Sequence, residues 1–83
     1  MSDITQKYNA SKIAIQKINN ALPILEKLRN ENSPNYKTAR QAFYNDIIPF
    51  VTANNIMRYD SVLRAMDVFT EKLGILNGVK GWY

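Results

Sequence analysis

The sequence predicts an all-α protein, an antiparallel four-helix bundle with a glycine-spaced C-terminal tail over 74–83. Three observations lead there. Apolar residues recur three and four positions apart along most of the chain, the repeat of a helix with one buried face. No stretch alternates with the period of two that marks a half-buried strand. Asparagine, proline and glycine punctuate the pattern at short intervals, so the helices are short and can bury their stripes only against one another.

The first helix spans about 4–19, with Ile4, Tyr8, Ile15 and Ile18 in its stripe and Ile13 and Ala14 widening it. Ser11 stands where the stripe calls for an apolar residue, and Ser2 or Asp3 can cap the N-terminus. Asn19-Asn20 followed by Ala21-Leu22-Pro23 predicts a break near Asn20, because proline is tolerated in the first turn of a helix but clashes in its interior. A second helix then covers 21–30, with Leu22, Leu25 and Leu28 inward and Ile24 beside them. The alternative is one unbroken but kinked helix.

The polar run Asn30–Asn35 is the clearest loop, ending in Ser33-Pro34, a capping residue followed by proline at the first helical position. The third helix runs over 34–52 and buries Tyr36, Ala39, Phe43, Ile47 and Phe50, with a kink or early end expected near Ile48 because of Pro49. Asn54-Asn55 is the next breaker. The fourth helix, 61–73, is capped by Asp60 or Ser61; its stripe of Val62, Met66, Phe69 and Leu73 has the spacing of a bundle seam, and Gly74 closes it.

Composition narrows the function. Hydrophobic residues are 46% of the 83 and charged residues 22%, the balance of a chain that folds as one domain. With no cysteine, a disulfide framework or thiolate metal site is ruled out, and a reducing compartment is expected. The start Met1-Ser2-Asp3-Ile4 has none of the marks of a signal peptide, and the apolar run Ile47–Val51 is far short of the ~20 residues of a membrane span. The expectation is a cytoplasmic protein.

Catalysis is not expected. No histidine is present to act as a general base or metal ligand, and no cysteine as a nucleophile. Asp67 and Glu71 stand four apart, but such a pair reads as a solvated edge and not as a metal site. No phosphate-binding glycine loop is present, and no cofactor or metal is predicted.

The net charge of +4 favours anionic partners, yet the eleven basic residues are dispersed along the chain. A nucleic-acid-binding regulator of phage or plasmid type is the rival reading, resting on Lys37 and Arg40 flanked by Asn35, Thr38 and Gln41. Without a helix-turn-helix signal, no specific nucleic acid is expected. The tail carries Ile75, Leu76, Val79, Trp82 and Tyr83 between Gly74, Gly78 and Gly81, an unusual density of apolar side chains on a turn-rich segment. Glycine lets such a segment fold back over a bundle, and Trp and Tyr are efficient contact residues.

The order of a long third helix ending in Phe50-Val51-Thr52, the break Asn54-Asn55, a short last helix and the glycine-spaced Lys80-Gly81-Trp82-Tyr83 resembles the immunity proteins for pediocin-like (class IIa) bacteriocins of lactic acid bacteria and streptococci. The resemblance implies an antiparallel four-helix bundle in the bacterial cytoplasm that protects the producing cell from its own pore-forming peptide. It further implies action at the inner face of the membrane, on the mannose phosphotransferase permease that the bacteriocin uses as receptor, with the C-terminal half deciding which bacteriocin is resisted. Because a free indole forfeits burial and the three glycines supply the turns to reach back, Trp82 is expected to anchor the tail near the seam between the third and fourth helices, while Lys80, Tyr83 and the polar edge Arg64, Asp67 and Glu71 form part of the recognition surface.

Overall fold

The computed structural model describes residues 3–74, which form three helices: α1 (Asp3–Asn30), α2 (Asn35–Ala53) and α3 (Asp60–Leu73). The described residues are helical with no strand, as the periodicity predicts. The expected cap at Ser2 and the tail beyond Gly74, including Lys80, Trp82 and Tyr83, lie outside them.

One correction concerns the number of helices. The expected elements 4–19 and 21–30 are a single 28-residue helix with Pro23 inside it, so the described residues form three helices instead of four. Proline removes one amide and crowds the carbonyl four residues back. Here that carbonyl belongs to Asn19, and Pro23 and Asn19 are both exposed, which leaves water free to satisfy it. Leu22 and Leu25, buried on either side of the proline, hold both halves of the helix to the same core. Pro49 behaves alike: α2 continues through it to Ala53 instead of ending near Ile48, with Pro49 and Asn45 facing solvent.

A helix rises 1.5 Å per residue, so α1 spans about 42 Å and sets the long axis of a body measuring 45 × 19 × 19 Å. Both other helices pack along it. α2 runs back beside α1, joined to it by the Lys17–Asp46 ion pair at 3.1 Å. α3 runs parallel to α1; its start borders Tyr8 and Ser11, and its last turn reaches Arg29, whose guanidinium donates to the Lys72 carbonyl at 2.7 Å. α2 and α3 meet where the Phe43 ring stacks on Phe69, with centroids 4.8 Å apart, and Tyr44 meets Phe69 edge-on.

The α3 stripe is as expected: Val62, Met66, Phe69 and Leu73 are all buried. On α2 the buried residues are Phe43, Ile47 and Val51, while Tyr36, Ala39 and Phe50 pack around the core part-buried. The α1 stripe is rotated from the expected one. Ile4 is 75% and Tyr8 53% exposed, Ile13 and Ile24 also face outward, and the inward positions are Ala10, Ser11, Ala14, Ile18, Leu22 and Leu25. Small residues fill this half of the seam, where α1 faces two helices and the buried Ile56 of the α2–α3 connection. Ser11 is 3% exposed, and its hydroxyl donates to the Tyr8 carbonyl at 2.8 Å, so a polar atom is buried without being left unpaired.

The three helix ends share one device. Asn32 (φ 52°), Asn55 (φ 57°) and Gly74 (φ 72°) each take the left-handed conformation that stops a helix. After α1, the amide of Ser33 donates to the Leu28 carbonyl and that of Asn32 to Arg29; after α2, Ile56 donates to Val51 and Asn55 to Thr52. This is the paired hydrogen-bond closure of a Schellman end, and in the second case its hydrophobic clasp joins Ile56 to Val51, both fully buried. At the start of α2 the Ser33 hydroxyl accepts the Asn35 amide at 3.2 Å, but the N-cap position is held by Pro34, which has no side-chain cap, so the helix begins one residue later than its sequence predicts.

Two outcomes follow for stability. Ser11→Leu, which completes the apolar pattern on paper, overfills the seam and lowers stability by about 1–3 kcal/mol, whereas Ser11→Ala stays within about 0.5 kcal/mol; urea unfolding of both variants distinguishes the two packings. Asn55→Ala loses about 1 kcal/mol because alanine keeps the β-carbon but lacks the short polar side chain whose local hydrogen bonding lets asparagine tolerate positive φ, and Asn55→Gly, with no β-carbon, matches or exceeds the parent. For a domain of this size 1 kcal/mol corresponds to a Tm shift of about 4–8 °C, readily read by thermal melts.

Candidate recognition surface

The outer face of α3 is built by its own periodicity. With positions 62, 66, 69, 70 and 73 turned into the core, positions 64, 67, 68 and 71 must face away, since residues three and four apart share a face. Arg64, Asp67 and Glu71 are all exposed there, as the sequence reading requires, and Val68 stands among them 47% exposed. The Lys17–Asp46 ion pair involves none of the three charges of this edge. The backbone beneath is firmly set: Thr70, 5% exposed, donates its hydroxyl to the Asp67 carbonyl at 3.1 Å. A rigid helix therefore presents a cation, two carboxylates and an aliphatic side chain on one strip. The other sequence-predicted members, Lys80, Trp82 and Tyr83, lie outside the described residues.

No family model, curated protein or solved structure matches this chain. Among the described residues, no helix is long and apolar enough to cross a membrane, and no three acidic side chains gather as a set that could hold a metal ion.

On the face of α2 that carries the nucleic-acid reading, Lys37, Thr38 and Gln41 are exposed, but part of the set is engaged internally. The Gln41 amide donates to Asn45 at 3.0 Å, and the Arg40 guanidinium lies 5.5 Å from the Tyr36 ring centroid. Such contacts compete with the straight bidentate approach that base reading needs.

Two concave regions were not legible in the sequence. One is a groove of about 430 Å³ between α1 and α2, floored by Ala21, Leu25, Ala39 and Ala42, with Ile24 exposed at its side and the Lys17–Asp46 pair at one end. The other is a cleft of about 600 Å³ at the opposite end of the bundle, between Tyr8, Ser11, Lys12 and Ile15 of α1 and residues 58–61. The signal for the second lay in Tyr8, an aromatic assigned to a buried stripe that a small-residue seam two positions away displaces.

Among the described residues, Tyr44 is the ionisable group whose titration is displaced. Burial beside Phe43 and Phe69 pushes its phenol above the ordinary value of 10.0, the Arg40 cation opposes this, and Tyr36 adds to it. The folded state thus prefers the neutral phenol. That preference is fully present below the ordinary tyrosine range and is lost as pH rises through the displaced value. Stability to urea accordingly falls between pH 9 and pH 11, and Tyr44→Phe shows a smaller fall over the same interval.

Proposed function

We propose that this protein acts by binding, as an immunity protein that protects its cell from a pore-forming, pediocin-like bacteriocin. Its partner is the bacteriocin-engaged receptor complex, the mannose phosphotransferase permease, met from the cytosolic side of the membrane. The observation that carries the reading is the α3 edge: Arg64, Asp67, Val68 and Glu71 stand together on a helix whose opposite face is wholly committed to the core. An exposed aliphatic residue flanked by charges of both signs is the composition of a selective docking strip, because the apolar contact supplies affinity and the charges reject wrong partners. Lys80, Trp82 and Tyr83 extend that surface in the proposal.

The order of elements supports the same reading. A long α2 ends at the turn around Asn54-Asn55, and a short α3 closes at Gly74, the succession on which the resemblance rests. The unbroken α1 replaces the first two helices of the four that the resemblance implies. Binding at the inner membrane surface is compatible with a net charge of +4.

The test is expression in a sensitive bacterial strain challenged with a panel of pediocin-like bacteriocins. Resistance to one or a few members is expected. Asp67→Lys and Glu71→Lys should reduce that resistance while each shifts stability by about 0.5 kcal/mol or less, since the residues are exposed and lie outside any described ion pair. Trp82→Ala should weaken protection as well. Unchanged killing across the panel would overturn the reading. A selection from random duplexes that returned a consensus DNA site would put the regulator reading in its place.

A further inference from the structure

The flank formed by α1 and α2 carries a surface that the α3 edge does not use. The groove there runs from Lys17 to Leu25 on α1, about 12 Å at 1.5 Å per residue, and faces Ala39, Ala42 and Phe43 of α2. Its base is the core itself, since Leu25 is 2% and Phe43 8% exposed. Ala21, Ala39 and Ala42 carry only a methyl group, so a side chain from outside can reach that base. Beside the hollow stands Ile24, 61% exposed. A single exposed aliphatic is ordinary on a protein surface. Here it adjoins an apolar hollow of about 430 Å³, so a knob and a hole lie side by side on one copy of the chain. The knob is also stiff: a β-branched side chain on a helix keeps essentially one χ1 rotamer and loses little entropy when enclosed.

Charge decides what can occupy it. The charged residues lining the groove are Lys17 and Asp46, which pair with each other at 3.1 Å and cancel. The groove therefore has no net charge with which to draw in an ionic ligand or steer a charged protein. The whole chain carries +4, so two copies repel through their basic faces and approach most readily through a patch whose charges cancel. A twofold contact sets one patch against itself, and this works only where knob and hole adjoin on the same copy. We propose that the groove is filled by Ile24 of a second copy of this chain, in a symmetric dimer whose α1 helices cross antiparallel. Each Ile24 packs against the partner's Ala42, and the Lys17–Asp46 pairs stand at the two ends of the contact, a polar rim. A contact centred on one groove is small for a specific interface, so the dimer is reversible. The assignment is independent of the receptor reading, because it requires neither receptor nor bacteriocin and no residue of the α3 edge.

The experiment is sedimentation equilibrium of the purified full chain from about 10 to about 500 μM, the range in which a small interface associates. The average mass should climb from monomer toward dimer. Raising salt should tighten the dimer, roughly twofold, because screening removes the repulsion between two cationic copies and leaves apolar contact intact. Ile24→Lys and Ala42→Glu each alter an exposed helical side chain, and circular dichroism checks that the fold is kept. Either alone should raise the dissociation constant at least about thirtyfold, since the twofold places each change in the contact twice. An equimolar mixture of the two variants should regain association. In the mixed dimer the introduced lysine meets the introduced glutamate, and the other half of the contact is native. Ile4→Ser, about 30 Å away along α1, should change nothing. A full chain that stays monomeric throughout would overturn the proposal; if Ile24→Lys then also melts below the parent, the groove belongs to residues 75–83 of the same chain. Association that weakens with salt, an Ile4→Ser loss equal to that of Ile24→Lys, or a mixture that stays monomeric would each overturn it as well.

Discussion

Because α2 and α3 meet chiefly through the rings of Phe43, Tyr44 and Phe69, the bundle depends on α1 as a continuous spine. Each of the other helices buries its stripe against a different sector of α1, and toward the N-terminal end the sectors converge on Ala10, Ser11 and Ala14. Small side chains at the convergence are a geometric necessity. A helix flanked on two sides, with Ile56 closing the end, has no volume left for the isoleucines and tyrosine that flank those positions in sequence. Those bulky residues are consequently displaced to the outside. The exposed Ile4, Tyr8, Ile13 and Ile24 are the complement of a tightly filled seam, and they give the molecule its apolar surface features.

That displacement also explains which parts of the architecture could be read from residues alone. α3 is legible because its large apolar residues and its buried face coincide: Val62, Met66, Phe69 and Leu73 form one stripe, and the edge Arg64, Asp67, Glu71 follows by subtraction. The N-terminal half of α1 is not, because its large apolar residues face outward and its seam is made of alanine and serine. The division at Asn20 failed for a related reason. A proline on the solvent side forfeits one hydrogen bond that water can replace, and no sequence rule for proline registers which side it faces. The breaks at Asn30–Asn35 and Asn54–Asn55 were legible as turns, since asparagine tolerates the left-handed conformation that both Asn32 and Asn55 adopt. The cleft beside Tyr8 was not, as it joins residues fifty positions apart and exists only once α3 lies alongside α1.

The two surfaces lie at different places on an elongated body. The cleft is at the N-terminal tip of α1, while the charged edge climbs α3 from Arg64 toward Gly74, near the other end of a molecule 45 Å long.

The unequal reach of the contacts along α1 imposes an order on assembly. α1 and α2 are joined by a four-residue connection, 31–34, so they close as a helical hairpin with little loss of chain entropy. α3 must find α1 across a far longer loop; the Arg29 bond to the Lys72 carbonyl spans 43 residues. It follows that the α1–α2 hairpin is the part of the fold closed by short-range contacts, whereas the docking of α3 brings together parts of the chain far apart in sequence, the slower kind of step.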